Sequence, residues 1–231
     1  MLTSSKQNTV PEVQNVIPTS DRTRGVASEL AERTLRDRTA ACADEVRRLL
    51  DAAYAVLART GELEPRVGDV VREAGLSNQA FYRHFRSKDE LLVALLDDGQ
   101  RRLLAALESR MLRVEPGEAR VRAWVEGVLE QARRREAANN TRPFVLNGLR
   151  LADRFPHEWS RSRDALLTPL RAAIDDLGGD PERDAPAVYH LAFGAMQDAL
   201  VRRERPTDAD VEHIVCCALA LVRSRAEAKQ E

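Results

Sequence analysis

Apolar residues return every third or fourth position along most of the chain, the spacing of a helix with one buried face. Val121, Trp124, Val125, Val128, Leu129 and Ala132 keep it most closely and predict a helix over Glu118–Glu136. Val46, Leu49, Leu50, Ala53 and Leu57 predict another over Asp44–Thr60, ended by Gly61. Leu91, Leu92, Leu95, Leu96, Leu103 and Leu107 predict a long helix to about Met111, opened by the capping box Ser87-Lys88-Asp89-Glu90. Gly99 is a candidate bend in this otherwise straight or gently curved element. Four more helices are expected. They cover Thr141–Arg154 with Pro143 in the first turn, Pro156–Leu177 with a kink at Pro169, Asp184–Arg203 and Asp208–Ala226. No tract alternates as a strand would, so the expected fold class is all-α.

The stretch Arg66–Lys88 is organised more tightly. Val67, Val70, Val71 and Ala74 form one stripe of a short helix, and Gly75 follows where a helix C-terminus favours a left-handed residue. Ser77 stands at an N-cap position. The next helix, Asn78–Phe85, buries Ala80 or Phe81 together with Phe85, and leaves Asn78, Gln79, Tyr82, Arg83 and His84 to a partner. Two short helices around a glycine turn make a helix-turn-helix, whose second helix can enter a DNA major groove. Leu76–Lys88 holds Arg83, Arg86 and Lys88 and no Asp or Glu, a local charge of +3. Such a surface gains from counterion release on a phosphate backbone. Asn and Gln can pair with adenine edges and Arg with guanine edges, whereas Tyr82 and Lys88 suit phosphate contacts.

The segment GLSNQAFYRHFRSKDELL, preceded by LLDAAYAVLARTG, resembles the N-terminal DNA-binding domain of the TetR family of transcriptional regulators. Ala52-Ala53, Gly61, Ala74-Gly75, Ser77, Tyr82, His84-Phe85, Ser87-Lys88 and Leu91-Leu92 carry the resemblance, which spans Asp44 to Leu95. It implies DNA contacts from Arg66, Ser77, Asn78, Gln79, Ala80, Tyr82, Arg83, His84 and Lys88. The chain departs from the family pattern at three places. Arg66, Val67 and Gly68 stand where Thr or Ser is usual, Gln79 where Gly is common, and Ala80 where Thr is common. These differences bear on the operator sequence rather than on the docking mode.

Composition narrows the alternatives. With 231 residues, 43% hydrophobic and 32% charged, the chain can bury a core of its own and has no membrane-length apolar run. No signal-peptide pattern opens it, and three Cys make a poor disulfide framework, so a cytoplasmic location is expected. A net charge of −1 argues against a protein that coats nucleic acid through bulk charge. Met1–Arg24 is polar, carries Pro11 and Pro18, and is expected to be disordered. Ser28–Thr39 is a candidate helix, with Leu30 and Leu35 as its few apolar points. Its arginines, with Arg22 and Arg24, suit either a DNA-contacting arm or a solvated tail; Asp21, Glu29, Glu32 and Asp37 nearly balance them and favour the tail.

Chemistry is sparse. Asp210 and His213 have the spacing of a metal pair, but no second Glu-x-x-His completes a di-metal bundle, so His213 reads as an ordinary surface residue. Cys216 and Cys217 read as core residues, and no nucleotide, nucleophile or zinc motif is present. Neither an enzyme nor a cofactor is expected.

The last two expected helices each carry an apolar face with recurring small residues. Either the two stripes pack on their own subunit, or they pair with a second copy as the four-helix dimer bundle that the resemblance implies. A two-fold operator requires two heads, which favours the dimer. The resemblance also implies an inducer pocket between head and bundle, for which Trp124, Phe144, Asn147, Trp159, Tyr189, Phe193 and Gln197 are the candidates. Aromatic content of 4% argues against a broad aromatic cavity. The expected organisation is an extension over residues 1–40, a helix-turn-helix domain over 41–90 and a ligand-binding and dimerisation domain over 91–231. The expected function is a homodimeric regulator, a repressor released from a palindromic duplex operator by a small apolar or amphipathic ligand. The alternative is a helical interaction module that does not bind DNA.

Overall fold

The structure is a computed structural model that describes residues 21–228. Among these residues there are ten helices and no strand. In chain order they are α1 (Asp21–Thr60), α2 (Val67–Ala74), α3 (Asn78–His84), α4 (Lys88–Met111), α5 (Glu118–Arg133), α6 (Arg135–Leu146), α7 (Gly148–Arg154), α8 (Pro156–Asp175), α9 (Pro181–Arg202) and α10 (Asp208–Ala228).

The chain divides into two units, residues 1–45 and 46–231. Of the tail expected to be disordered, residues 1–20 lie outside the described residues, and residues 21–24 begin α1. No break separates the two helices expected around residues 39–44. The Thr34 and Thr39 hydroxyls bond back to the Leu30 and Leu35 carbonyls, so these residues are absorbed into the helix rather than ending it. Val26, Leu30 and Leu35 are exposed.

The second unit holds two cores. One gathers Leu49, Ala53 and Leu57 of α1, Val70 and Val71 of α2, Phe81 of α3, and Leu91, Leu92 and Leu95 of α4. Leu151 of α7, only 1% exposed, belongs to this same core although it lies far along the chain. The other core is built around α5, whose Trp124 is fully buried and donates from its indole nitrogen to the Leu166 carbonyl at 3.1 Å. All six apolar positions expected on α5 are buried.

Most helix bounds shift from expectation by one to three residues, and two differences change the layout. The helix expected to run to Glu136 ends at Arg133, and Arg134 takes an extended conformation (ψ 122°) before α6 starts. The helix expected over Thr141–Arg154 is instead α6 and α7, broken at Asn147. Asn147 Nδ2 donates to the Pro143 carbonyl at 2.8 Å, a side-chain bond that competes with the helical ladder, and Gly148 follows. Pro143 lies well inside α6 rather than in a first turn. Cys216 is exposed and Cys217 half-buried, so the expectation that both are core residues does not hold. Their positions on α10 fall outside the buried stripe of Val211, Val215, Ala218, Leu219 and Val222.

Candidate nucleic-acid interface and ligand cavity

The turn between α2 and α3 is fixed from three directions. Gly75 adopts φ 62°, ψ 35°, and the amides of Gly75 and Leu76 return to the carbonyls of Arg72 and Val71. Arg48 of α1 donates to the Ala74 carbonyl at 2.7 Å, tying the end of α2 to the helix behind it. Ser77 caps α3 by accepting from the Ala80 amide at 3.1 Å. Behind α3, Phe81 is fully buried and stands 5.5 Å from the Phe85 ring. The orientation of α3 is therefore set by packing, capping and the turn together.

The outer surface of α3 carries Asn78, Gln79, Tyr82 and Arg83, all exposed, with Arg66, Ser77 and Lys88 exposed beside it and His84 half-buried. Tyr82 is 60% exposed and leans edge-on against Phe81, with ring centroids 5.2 Å apart. Ala80 is the exception among the residues proposed for DNA: at 5% exposure its methyl group is buried in the head, as is Phe81. Both of the residues between which the sequence left a choice are inside. The box that opens α4 is shifted by one residue. Ser87 accepts from the Glu90 amide, while the Glu90 carboxylate accepts from the Arg86 amide at 2.6 Å.

Between α1, α4, α6, α8 and α9 lies a cavity of about 390 Å³, within the range of roughly 300–1,000 Å³ for ligand sites. Of the residues proposed for a ligand, Phe144, Trp159, Tyr189 and Phe193 line it. Trp124, Asn147 and Gln197 do not. Trp124 backs the wall, its ring 6.3 Å from Tyr189 and 6.2 Å from Phe193. Asn147 is engaged with Pro143, and Gln197 is exposed. Tyr54, Phe144, Trp159, Tyr189 and Phe193 together are half of all the aromatic residues in the chain. The low overall aromatic content was therefore misleading, because these residues are concentrated at one place.

The cavity also has polar walls that the apolar pattern could not mark, among them Gln100, Arg102, Arg134, Glu136, Asn140 and Arg163. Arg102 is paired with Asp51 at 3.2 Å and Asp98 at 2.8 Å, and its guanidinium lies 5.4 Å above the Tyr54 ring. Ser162 donates to Gln100 Oε1 at 2.9 Å. Burial pushes the Tyr189 hydroxyl up to about 12, with the nearby Arg163 charge working against the rise.

The helix α7 connects cavity and head. It lies between α6, which supplies Phe144 to the cavity, and α8, which supplies Trp159. Besides burying Leu151 in the head core, α7 carries Arg154, which pairs with Glu64 before α2 at 2.7 Å and with Asp89 at the start of α4. As exposed pairs these contribute little stability, but they fix where α7 meets the head.

No group of His, Cys, Asp and Glu able to hold a metal occurs among the described residues. The Asp210 carboxylate accepts from the Thr207 hydroxyl at 2.7 Å and the Thr207 amide at 2.8 Å, which lowers its pKa and commits it to capping α10. No helix among the described residues is long and apolar enough to cross a membrane.

An exposed second motif helix on a three-helix head, joined to a helical bundle with a cavity, defines an all-α helix-turn-helix protein. Residues 49–95 match the family of bacterial regulatory proteins, tetR family. That match covers the N-terminal helix-turn-helix segment, which is similar to the DNA-binding part of that family. Solved structures share the fold beyond that segment. A TetR-family transcriptional regulator from Streptomyces coelicolor superposes with a TM-score of 0.64 at 20% identity, covering 80% of this chain and 97% of that one. A TetR transcription regulator from Haloarcula marismortui gives 0.62 at 18% identity, covering 79% and 98%. The transcriptional regulator FadR from Bacillus subtilis, in complex with stearoyl-CoA, gives 0.59 at 14% identity, covering 78% and 97%.

Proposed function

We propose that the chain is a homodimeric DNA-binding transcriptional repressor, released from a palindromic operator by a small molecule held in the cavity. The observation that carries the reading is the surface of α3. It is capped and packed into a fixed orientation, free of carboxylates, and presents hydrogen-bonding side chains outward. Arg66, Ser77, Tyr82 and Lys88 are assigned to phosphates, and Asn78, Gln79, Arg83 and His84 to base edges. Two such helices, roughly 34–36 Å apart, would occupy successive major grooves.

Dimerisation is assigned to α9 and α10. Ala187, Gly194 and Val201 are exposed along one side of α9, and Leu221 along α10, with Leu191, Ile214 and Cys217 half-buried between them. Gly194 supports this assignment. It sits in the interior of α9, where glycine costs about 1 kcal/mol relative to alanine, yet a Cβ there would meet nothing within 4 Å. Nothing in its own subunit requires a glycine, whereas close approach of a second helix would.

Release is assigned to α7. A ligand against Phe144 and Trp159 would bear on α6 and α8, the two neighbours of α7, and so on the placement of Leu151 and Arg154 against the head. The ligand shifts the head spacing only to the extent that it binds one spacing better than the other.

Incubation of the purified protein with sheared genomic DNA, followed by sequencing of what is retained, tests the reading. Retention of discrete fragments at low salt, lost between low and moderate salt, is expected. Absence of any retained DNA would leave the helical interaction module as the better description.

A further inference from the structure

The cavity's unspent hydrogen-bonding groups indicate the charge of its occupant. Arg102 already has two carboxylate partners. Arg134, held at the break between α5 and α6, has no ion pair among the described residues. Among the described residues Arg163 pairs only with its neighbour Asp164, at 3.5 Å, with both side chains about half exposed. Tyr189 lines the same cavity as Arg163, whose charge acts on its hydroxyl, and among the described residues that hydroxyl has no hydrogen-bond partner. Gln100 spends its carbonyl oxygen on Ser162, which leaves its amide hydrogens. Glu136 is the one carboxylate among the lining residues. What remains is rich in donors and cationic overall, so the missing partner is an acceptor with negative charge.

The walls indicate the rest of the molecule. Tyr189 and Phe193 are stacked, with centroids 4.2 Å apart and planes at 19°, and Trp124 holds this pair from behind. Phe144 and Trp159 line the cavity as well, with Leu95, Leu103 and Leu166 as apolar floor. Aromatic rings favour offset or edge contact with another ring, and five of them around one volume select for a flat apolar body.

We propose that the effector is a small aromatic carboxylic acid, its ring among Phe144, Trp159 and Phe193 and its carboxylate on Arg163 and the Tyr189 hydroxyl. This rests on reading the cavity as the effector site. The guanidinium supplies charge-assisted bonds and the neutral phenol a further donor, and the one pairing this draws on, Arg163 with Asp164 at 3.5 Å, is solvent-exposed.

Calorimetric titration of the full chain with naphthoate, naphthylmethanol, naphthylmethylammonium and octanoate tests both proposals separately. Naphthoate is expected to bind at least about tenfold tighter than the alcohol or the ammonium, and tighter than octanoate. Arg163→Gln should remove the preference over the alcohol while leaving the alcohol's own affinity unchanged. Tyr189→Phe should reduce it in part. Arg163 is exposed, so its replacement does not threaten the fold. Equal binding of acid and alcohol, or tightest binding of the ammonium, overturns the anion assignment while the cavity reading stands. Tighter binding of octanoate overturns the aromatic body. Binding of none of the four overturns the cavity reading, and this proposal with it.

Discussion

The Tyr54 hydroxyl donates to the Leu95 carbonyl at 2.7 Å, joining α1 to α4 at the edge of the cavity. Gly99, one turn further along α4, makes the approach possible, because a Cβ there would stand 3.1 Å from the hydroxyl oxygen. The same tyrosine is 7% exposed, belongs to the head core and lies 6.1 Å from the Phe144 ring. Burial, reinforced by the Asp98 carboxylate, raises its pKa, so the phenol stays a neutral donor. One side chain thus touches head, connecting helix and cavity wall.

This pair defines a double-mutant cycle. In the wild-type background Gly99→Ala gains helix propensity, about 1 kcal/mol, but crowds the hydroxyl and weakens its bond, about 1 kcal/mol. The two nearly cancel. In the Tyr54→Phe background the oxygen is gone, so Gly99→Ala should stabilise outright. Urea denaturation of the four proteins should therefore give a coupling on the order of 1 kcal/mol, with the two substitutions less harmful together than apart. Strict additivity would mean that the contact does not exist in solution.

How much of this was legible beforehand varied with the kind of information each feature needs. The turn of α2 and α3 was readable because Gly75 and Ser77 act on their own neighbours. The bounds of α2 and of α4 within a residue followed from local period and capping. The break at Arg134 was not readable, because neither glycine nor proline marks it. Tyr54 escaped notice as a cavity residue because it lies in the head's first helix, and only the fold brings it beside Phe144. Leu151 likewise looked like one apolar residue of a bundle helix, yet it completes the head core. A short helix with the adjacent apolar residues Ala80 and Phe81 does not say from its pattern which one faces inward, and here both do.

The exposed residues of α3 should separate into two kinds of effect. The double change Tyr82→Ala with Lys88→Ala should weaken binding to specific and unrelated duplexes alike and flatten the dependence of affinity on salt, since phosphate contacts carry the counterion term. Gln79→Ala should instead redistribute preference among bases at one position of each half-site, by about 1–3 kcal/mol. A mobility-shift series over a set of single-base variants distinguishes them. A Gln79 change that lowers affinity uniformly would place that residue on the backbone.

The buried phenol of Tyr189 gives a pH signature. Its ionisation lies at about 12 in the fold against 10.0 for an ordinary tyrosine, so the folded state favours the neutral form. The sign follows by linkage: the contribution is complete below about pH 10 and is lost as pH rises toward about 12, because the unfolded chain releases the proton first. Denaturation midpoints should fall across that window. Tyr189→Phe should make the fall shallower and remove one late step from the ultraviolet tyrosinate titration. An unchanged slope would mean that the hydroxyl is solvated in the free protein.

The assignment of α9 and α10 to the dimer can be tested without disturbing either subunit. A side chain at position 194 extends into open space within one chain, as the absence of any atom within 4 Å of a Cβ there requires. Gly194→Arg should therefore fold at least as well as the wild type, with helix propensity in its favour by roughly half to one kcal/mol. In a paired bundle the same side chain would force two helices apart and bury a charge without a partner, which the interface cannot tolerate. Sedimentation should show a shift from dimer to monomer, and the thermal transition should lose its dependence on protein concentration. Operator affinity should drop with it, because one head alone holds a single half-site. A Gly194→Arg protein that remains dimeric would move the contact to another face of the molecule.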